Sequence, residues 1–540
     1  MARSVDAVVI GSGHNGLVAA AYLARAGWEV EVLERNPEPG GAVATEALTE
    51  PGFLHDTFSS WHPLFHLSAA YAELGDELRS RGLDYVNCDD VVTATLRRDG
   101  SSVVAHRDPA PMLEALSDAD AAAYGEDLGA LGAQMDIVGE LLGTELHSAH
   151  ATRLAAQLAR RLGRREAASF LAQVTGSARG WLAGRFEGDE VATLFGPWVL
   201  HLGLTPDQGG GGFQLLALAG AVHEVGMPVV KGGSAKFVDA FVSLIEANGG
   251  TVRTGVEAER IEVRGGRAAA VVAGGEEIAA RRAVIANTTP TQLYGTLLAP
   301  TDVPQLAARQ AARFRYASRA GTQIHLALSE PPRWRGDPRL ADAAIVHLSD
   351  GIDAVSLSCA QAQAGLLPAE PTIVCGQPTA LDPSRAPDGK AILWIQLQEV
   401  PYSPTGDAAG EIDVGDGTWT PELEAAYADR IIDRLARQIE NLPDAIIGRA
   451  VLSPRTLEER NPNFVRGDIY SGATDLAQSY LWRPLPAFGS HATPVDGLYH
   501  CGASTHPGPG LNAASGRIVA RRLLRPPLRR RLGARLGLGG

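Results

Sequence analysis

The stretch VDAVVIGSGHNG at residues 5–16 contains the pattern that best indicates the fold. Its first six residues form an apolar run that predicts a strand, and a helical pattern follows from Leu17 to Ala26. Gly11 permits a tight turn, and Gly13 allows a ligand to approach the backbone. Gly16 allows the helix to pack closely against the strand. The stretch is therefore typical of a strand, a glycine-rich turn and a helix in immediate succession.

A second strand, Val30 to Leu33, follows this helix and ends at Glu34. The N-terminus of the helix presents free N–H groups and the positive end of its dipole, both of which favour a phosphate. Glu34 lies 18 residues after Gly16, where a carboxylate can bind the ribose hydroxyls of an adenosine. Strand, helix, second strand and acid together predict a Rossmann unit that binds a dinucleotide.

The residues after Glu34 indicate which dinucleotide this is. They read RNPEPGG at 35–41 and place a second pair of glycines just past the acid. A domain that binds only NAD has no need of this pair, whereas flavoproteins of the glutathione-reductase-like class use it to let the chain pass the FAD pyrophosphate and ribityl. The sequence therefore predicts FAD. In this part of the chain we expect contacts from Gly11, Ser12, Gly13, Asn15, Gly16, Glu34, Arg35, Gly40, Gly41 and Ala42.

Length and composition bound the class of protein. A chain of 540 residues is too long for one compact core, and its net charge of −14 argues against nucleic acid as a partner. The four cysteines are scattered without a CxxC pair, which excludes a zinc ribbon and a redox disulfide and fits a reducing cytosol. We find no HExxH, no signal peptide before the first strand and no apolar run long enough to span a bilayer. These observations predict a cytoplasmic protein without a metal site.

A second block, at 231–287, predicts a helix, a strand, a β-meander and a strand that returns to the parallel sheet. KGGS at 231–234 leads into an amphipathic helix, and Gly249-Gly250 ends it. In two-dinucleotide-binding flavoproteins the strand that holds Val256 supplies backbone contacts to the adenine. The strand that ends at Asn287 then passes near the FAD.

A third block, at 495–517, predicts a short strand, a Gly/Pro turn and a helix of small residues that reaches about Leu524. The first turn of such a helix can approach a planar ligand, and its positive end stabilises the negative charge of a flavin that has accepted hydride. His506 is the titratable group of this block, either a residue that packs the turn, which we favour, or a general base. FAD contacts are expected from Gly502, Ala503, Gly510, Leu511 and Asn512.

The three blocks together resemble the phytoene desaturase family of FAD-dependent oxidoreductases, most closely its bacterial phytoene-dehydrogenase-like branch. The resemblance covers nearly the whole chain. Two departures point away from amine oxidases: Ala42 replaces an Arg after the diglycine, and Ala503 replaces the usual Asp at the ribityl contact. The matching stretches are GSGHNGLVAAAYLARAG and LERNPEPGGAVATE within 11–46, PGFLHDTFS at 51–59, KGGSAKFVDAFVSLIEANGG at 231–250, AVIANTTP at 283–290, PTALDPSRAPDGKAILWIQ at 378–396 and LYHCGASTHPGPGLNAASGR at 498–517.

The resemblance implies an α/β fold, with a glutathione-reductase-like Rossmann FAD-binding domain and a discontinuous substrate domain of mixed sheet and helices. The glycine run at 209–212 is predicted to be either mobile or tightly packed. Its flanks, Phe195 to Trp198 and Phe213, either line a tunnel or form a buried cluster. The expected boundaries are 1–108, 221–295 and 486–525 for the FAD domain, 109–220 and 296–485 for the substrate domain, and 526–540 for a basic tail.

The chemistry follows from the flavin, since no second GxGxxG indicates an NAD(P) domain. The resemblance implies hydride transfer from a C–H bond of a largely apolar, carotenoid- or polyene-like substrate to flavin N5, with oxygen or a quinone as acceptor. The alternatives are an isomerase or cyclase without net redox change, an amine-oxidase-like oxidase, and a non-enzymatic FAD-fold binding protein. No proton acceptor stands out, and the candidate catalytic residues are His506, Arg483, His325, His201 and His62.

The C-terminal tail is strongly basic in an acidic protein, and Leu528, Leu532 and Leu536 repeat every four residues. One interpretation is a solvated end after the last helix, which we favour. The other is a peripheral contact with anionic lipid, since basic residues near a membrane surface are attracted to it.

Overall fold

The computed structural model describes residues 3–525, so the basic tail at 526–540 lies outside the described residues. The strands are β1 (Arg3–Ile10), β2 (Val30–Leu33), β3 (Thr45–Glu46), β4 (His55–Asp56), β5 (Tyr85–Val86), β6 (Val91–Leu96), β7 (Ser102–His106), β8 (Val229–Val230), β9 (Thr251–Arg253), β10 (Ala258–Arg264), β11 (Arg267–Ala273), β12 (Glu276–Ala286), β13 (Ala320–Leu328), β14 (Ile345–Leu348), β15 (Leu366–Leu367), β16 (Ile373–Gly376), β17 (Ala391–Val400), β18 (Gly406–Asp407), β19 (Ile446–Leu452) and β20 (Leu498–His500).

The α-helices are α1 (His14–Arg25), α2 (Pro63–His66), α3 (Ala69–Arg79), α4 (Ala110–Ala115), α5 (Asp118–Gly132), α6 (Met135–Leu142), α7 (Ala149–Thr175), α8 (Ala178–Arg185), α9 (Glu190–Phe195), α10 (Gly211–Val225), α11 (Ala235–Ala247), α12 (Pro290–Gln292), α13 (Gln305–Ala311), α14 (Ile352–Gln363), α15 (Pro378–Leu381), α16 (Pro421–Ala436), α17 (Leu442–Ala445), α18 (Pro454–Arg460) and α19 (Ala514–Leu524). A 3-10 helix at Gly196–Leu202 continues from α9.

The first sheet is the predicted Rossmann sheet. Its parallel strands have the order β9-β2-β1-β12-β20, with Val9 opposite Val32 on one side and opposite Ile285 on the other. The strands β10 and β11 form the predicted meander and pair antiparallel with the first half of β12. Both the fold class and the order of parts inferred from the sequence are confirmed.

Helices α1, α11 and α19 cover one face of this sheet. Their apolar side chains form a single core with the buried side of the central strands, including Leu17, Phe237, Phe241 and Val519. The run VEVL of β2 is buried along its whole length, as expected for a parallel strand with a neighbour on each side. This packing holds the N-termini of α1 and α19 at the same edge of the sheet.

The second sheet is mixed, with the order β19-β13-β17-β16-β14-β6-β7. Strands β13 and β17 are buried along their whole length, and β14 and β6 are the parallel pair. The first segment of the FAD domain was expected to end at residue 108. Strands β6 and β7 precede that boundary but belong to the second sheet. Strand patterns alone cannot assign a strand to one of two sheets, since both sheets bury similar β-branched and apolar residues.

Helices α4 to α10 cover part of the second sheet. The glycine run at 209–212 is tightly packed, one of its two predicted states. A Cβ on Gly211 would lie 3.0 Å from Ala178 N, and one on Gly212 would lie 3.0 Å from Gln173 O. Of the apolar flanks, Phe195 is buried in the core, whereas Trp198 and Phe213 line a cavity. Among residues 3–525 no helix is both long and apolar enough to cross a membrane.

Candidate functional site

A cavity of about 830 Å3 lies between the two sheets. On one side its wall is formed by the carboxyl ends of β1, β2 and β12 and by the turn before α19. On the other side it is formed by residues of β13, β14 and β17 and of the helices α6 and α10. In an open parallel sheet, ligands bind at the carboxyl ends of the strands, so this is the expected position for the site.

The glycines of the first turn leave no space for side chains. A Cβ on Gly13 would lie 2.8 Å from Asn287 Nδ2, and a Cβ on Gly16 would overlap the carbonyl oxygen of Gly11. Gly41, with φ of 62°, passes so close to the loop that a Cβ there would lie 3.1 Å from Gly13 Cα. The loop therefore offers bare backbone to a ligand at the N-terminus of α1, which fits the FAD pyrophosphate that the sequence predicts.

Glu34 has a second role that the sequence does not reveal. Its Oε2 accepts hydrogen bonds from Ser12 N at 3.0 Å and Ser12 Oγ at 2.6 Å, and its Oε1 accepts one from Asn36 N at 2.9 Å. Ser12 Oγ in turn accepts a hydrogen bond from Gly40 N at 3.0 Å. The buried carboxylate thus lines the cavity and also joins the two glycine turns.

Asn287 connects the first turn to the C-terminal block. Its Nδ2 lies 3.4 Å from Gly11 O and 3.3 Å from Gly13 O. A Cβ on Gly502, whose φ is 113°, would lie 2.6 Å from Asn287 Oδ1. Asn463 Nδ2 donates to the Asn287 carbonyl oxygen at 3.2 Å. The amide side chain of Asn287 therefore lies between two backbone segments that line the cavity, and its backbone oxygen is held by Asn463.

The turn before α19 presents backbone groups to the cavity, as expected, but not all those that the sequence suggested. The amide of Asn512 donates to Gly510 O at 2.9 Å, so it is used within the turn. The amides of Gly510 and Leu511 have no acceptor among the described residues. His14 lies beside this turn, and burial lowers its pKa to about 4 although the Gly510 backbone has the opposite effect. His14 is therefore neutral at physiological pH.

Most of the predicted FAD contacts line the cavity. Ser12, Gly16, Gly40 and Val256 do not, because they support the lining residues from behind; Val256 N, for example, donates to Glu34 O at 2.8 Å. The predicted residues that line it are Gly11, Gly13, Asn15, Glu34, Arg35, Gly41, Ala42, Asn287, Gly502, Ala503, Gly510, Leu511 and Asn512.

Arg483 is fully buried at the cavity wall, and its guanidinium is occupied by backbone carbonyls. It donates to Ala503 O at 2.7 and 3.1 Å, to Ala473 O at 2.9 Å and to Gln478 O at 3.2 Å. Burial lowers the pKa of Arg483 to about 10, so the group stays charged. Its contribution is to fix the turn at Ala503 and to place a positive charge near it.

The structure separates the histidine candidates. His62, His325 and His506 are buried away from the cavity, and His506 packs the turn as favoured, with its Nε2 3.3 Å from Leu141 O. His201 lines the cavity, and its Nε2 lies 3.0 Å from His347 Nε2. Burial lowers the pKa of His201 to about 4, so it is a neutral imidazole at physiological pH.

Sequence reasoning missed the side chains that the second sheet contributes to the cavity. They are Gln323, Ile345, Trp394, Gln396 and Gln398. The alternation of Trp394, Gln396 and Gln398 in β17 places all three on one face, because successive side chains of a strand point to opposite sides. This alternation is visible in the sequence, but the sequence does not show which face of the strand lines a cavity.

The walls away from the glycine turns are mainly apolar. The carboxylates among the lining residues are Glu34 and Glu257, next to β2 and β10. Side chains that form the apolar wall are Trp61, Leu64, Met135, Leu142, Trp198, Leu202, Phe213, Leu218, Met227, Ile345 and Trp394.

Comparison with known proteins gives a match over almost the whole chain. The sequence model of the family described as flavin containing amine oxidoreductase matches residues 16–524. Pyridine nucleotide-disulfide oxidoreductase domain-containing protein 2 of Rattus norvegicus is 30% identical, over 95% of this chain and 92% of its own length. A limonene dehydrogenase polypeptide of Castellaniella defragrans is 27% identical, over 96% and 94%. Phytoene desaturase of Fusarium fujikuroi is 24% identical, over 96% and 89%.

Solved structures share the fold at low identity. An oxidoreductase from Methanosarcina mazei has a TM-score of 0.59 at 16% identity and covers 96% of this chain and 99% of its own. Putrescine oxidase bound to putrescine has a TM-score of 0.60 at 14% identity, over 97% and 100%. The expected resemblance to phytoene desaturases is thus confirmed by the sequence relatives, and the architecture by the structures.

Proposed function

Because the chain belongs to the family of flavin-containing amine oxidoreductases, we propose that it removes hydride from a C–H bond of a largely apolar substrate. The protein is an FAD-dependent oxidoreductase. We further propose that the hydride donor is apolar, that the final electron acceptor is oxygen or a quinone, and that the reaction is a dehydrogenation or desaturation. Relatives at 24–27% identity whose names are those of a limonene dehydrogenase and a phytoene desaturase support the donor class.

One observation carries the proposal: the cavity beyond the glycine turns has mainly apolar walls and lacks a lining carboxylate among the described residues. An ammonium group that leaves water needs a carboxylate or a similar partner, because an unpaired buried charge is costly. Glu34 lies at the end of β2 beside the glycine turns, where it accepts hydrogen bonds from Ser12 and Asn36, and Glu257 lies next to β10. The site therefore suits an apolar donor better than a cationic amine.

The cysteines argue against dithiol chemistry. The chain's four cysteines, Cys88, Cys359, Cys375 and Cys501, are all buried and free. Burial raises the pKa of Cys359 and of Cys375 to about 12, so neither is a thiolate at physiological pH. The disulfide in the name of the rat relative therefore has no counterpart in a cysteine pair of this chain.

Each part of the site has a defined task in this reaction. The bare backbone at Gly13 and Gly41 and the carboxylate of Glu34 hold the dinucleotide, and bound FAD supplies the two-electron acceptor for the hydride. Arg483 fixes the turn at Ala503. The apolar walls exclude water, which limits competing reactions of the substrate while charge develops on it.

Anaerobic reduction of the holoenzyme by a panel of donors tests the proposal. We expect the flavin absorbance to be lost with apolar donors such as terpenes and polyenes, with oxidised product detected by mass spectrometry. Putrescine, benzylamine and NADPH should reduce the flavin much more slowly. Fast reduction by an amine would make the protein an amine oxidase, and fast reduction by NADPH alone would make it a reductase or monooxygenase.

A pair of variants checks that the apolar wall is the relevant surface. Ala217 lines the cavity from α10, so Ala217→Asp places a carboxylate there and Ala217→Asn adds a side chain of similar volume without charge. We expect Ala217→Asp to slow reduction by apolar donors at least about tenfold more than Ala217→Asn does, because a buried charge needs a partner. Equal effects of the two substitutions would contradict the assignment.

A further inference from the structure

A polar stripe crosses the wall that the second sheet contributes to the cavity. His347 of β14 is paired with Val374 of β16, and Val374 is paired with Gln396 of β17. Gln396 is in turn paired with Gln323 of β13. Residues that are paired across neighbouring strands project to the same face of a sheet, so the stripe faces the cavity that Gln323 and Gln396 line.

Two amide side chains of the stripe have atoms without partners. Gln398 Nε2 donates to Gln396 Oε1 at 2.9 Å, which leaves Gln396 Nε2 without a hydrogen-bond partner among the described residues. Gln396 is only 8% exposed and lines the cavity. Gln398 Oε1 is buried and also unpaired. Exchanging O and N in both amides would keep their mutual hydrogen bond and would present an acceptor instead of a donor.

His201 extends the stripe above β14. Its Nε2 shares one proton with His347 Nε2 at 3.0 Å, and Trp198 packs against both rings, with centroid distances of 4.6 and 4.9 Å. His201 Nδ1 has no partner among the described residues, although the ring lines the cavity. This atom is a donor or an acceptor according to which histidine holds the shared proton.

These groups lie in a wall to which the second sheet also contributes Gln323, Ile345 and Trp394. Buried polar groups in proteins are normally hydrogen-bonded. Gln398 Oε1 and His347 Nδ1 are buried without a partner, whereas Gln396 and His201 lie at the cavity wall, so their free amide and ring atoms are available to a ligand. The Cα atoms of His347 and Gln396 are two strand spacings apart, about 10 Å, with Val374 between them. A hydroxyl group has one donor and two acceptor lone pairs, so it matches every combination of amide orientation and histidine tautomer except the one that presents two acceptors.

We propose that Gln396 and His201 form a polar subsite that binds a hydroxyl group of the substrate. The substrate is then an apolar alcohol rather than a pure hydrocarbon. The inference rests on the proposed function, which supplies the apolar part of the substrate. It adds that the substrate carries a hydroxyl oxygen, which binds beside Gln396 of the second sheet.

Binding to the holoenzyme tests the subsite separately from turnover. The ligands are limonene and perillyl alcohol, which share a carbon skeleton and differ by one hydroxyl, with geraniol as a second alcohol. Quenching of tryptophan fluorescence reports binding, since Trp61, Trp198 and Trp394 line the cavity. The variant is Gln396→Leu/Gln398→Leu, because removing both members of a hydrogen-bonded pair leaves no unpaired partner. The control is Gln363→Leu, at an exposed position of α14.

We expect the wild type to bind perillyl alcohol about fivefold tighter than limonene, the usual net effect of one satisfied hydrogen bond. In the double variant this ratio should fall below about threefold, while Gln363→Leu keeps it. FAD content and Tm of the double variant should match those of the wild type. A large loss of Tm would assign the glutamines to the fold and would overturn the subsite.

The other outcomes separate the two proposals. Equal binding of limonene and perillyl alcohol by the wild type, an unchanged ratio in the double variant, or no saturable binding of any alcohol would overturn the subsite. Flavin reduction by hydrocarbons without preference for alcohols would leave the proposed function standing. Selective binding of alcohols without flavin reduction by any apolar donor would support the subsite and contradict the proposed function.

Discussion

Asn15 Oδ1 accepts a hydrogen bond from Gly516 N at 3.0 Å, although the two residues are 501 positions apart in the sequence. The bond joins the first turn of α1 to the first turn of α19. A Cβ on Gly516 would overlap the backbone oxygen of Asn15, so the two helices approach as closely as backbones allow. The N-termini of both helices lie at the cavity, which Asn15 and Ala514 line, so their positive ends favour a negative charge there.

The first prediction concerns this contact. Gly516→Ala should lower stability by about 2 kcal/mol or more, because backbone atoms cannot move aside as a flexible side chain can. It should also release FAD, since α19 must shift away from the turn at Gly510. Tm and the absorbance ratio of bound flavin to protein measure the two effects. Gly125→Ala, in open space on α5, is the control; it should keep its FAD and, because the position is inside a helix, gain up to about 1 kcal/mol of stability. Equal behaviour of the two variants would contradict the prediction.

The second prediction concerns Glu34. Glu34→Ala removes the acceptor of Ser12 N, Ser12 Oγ and Asn36 N as well as the expected ribose contact. Each charge-assisted hydrogen bond contributes about 1.5–3 kcal/mol, so FAD affinity should fall by at least tenfold. Fluorescence titration of the apoprotein with FAD measures the change. Glu38→Ala, an exposed acid in the same loop, should bind FAD as the wild type does. Retention of wild-type affinity in Glu34→Ala would refute the assigned role.

The third prediction concerns the ion pair between Arg385 and Asp56, both fully buried. Arg385 also donates to Asp382 at 3.2 Å and to Val230 O at 2.6 Å, and the proximity of Arg385 keeps the pKa of Asp56 below its usual value despite burial. Arg385→Met should lower the free energy of unfolding by about 3–5 kcal/mol, because it leaves a buried charge without its partner.

Two further variants complete that test. Adding Asp56→Asn to Arg385→Met should recover part of the loss, since the uncompensated charge is removed. Arg333→Met breaks an exposed pair with Glu330 and should cost less than about 1 kcal/mol. Urea unfolding of the four proteins gives the comparison. A double variant that is less stable than Arg385→Met alone would contradict the electrostatic explanation.

The fourth prediction concerns pH. Burial lowers the pKa of several histidines well below the value of about 6.5 that they have in the unfolded chain. Between that value and the folded pKa the unfolded state binds more protons, so stability is present above pH 6.5 and is lost as pH falls. The residues are His14, His55, His201, His500 and His506, with a pKa of about 4, and His62 and His325, with a pKa of about 3.

Each of these histidines should lower the free energy of unfolding at pH 5.5 by about 1 kcal/mol relative to pH 8. Tm measured from pH 8 to pH 5 should therefore decrease steeply toward acid. His500 Nε2 donates to Thr288 O at 2.7 Å, and His500→Gln keeps a donor there but removes the titration, so its Tm should depend less on pH. A slope identical to that of the wild type would assign the acid sensitivity to other groups.

The local architecture around the glycines was predictable from the amino-acid sequence. The strand, turn and helix from Arg3 to Arg25 and the strand at Val30–Leu33 match their predicted positions within a few residues. These elements are predictable because glycine positions and apolar periodicity reflect interactions between near neighbours in the chain. The family resemblance and FAD follow from such local signals as well.

Which distant residues line the cavity together depends on the tertiary fold and could not be read from the sequence. Strands β6 and β7 belong to the second sheet. His201 lines the cavity whereas His506 does not, and the glutamines of β17 face the cavity. A period of two places Gln396 and Gln398 on one face but does not say what that face meets. That is fixed by the register between strands and by the packing of the two sheets, which depend on contacts far apart in the sequence.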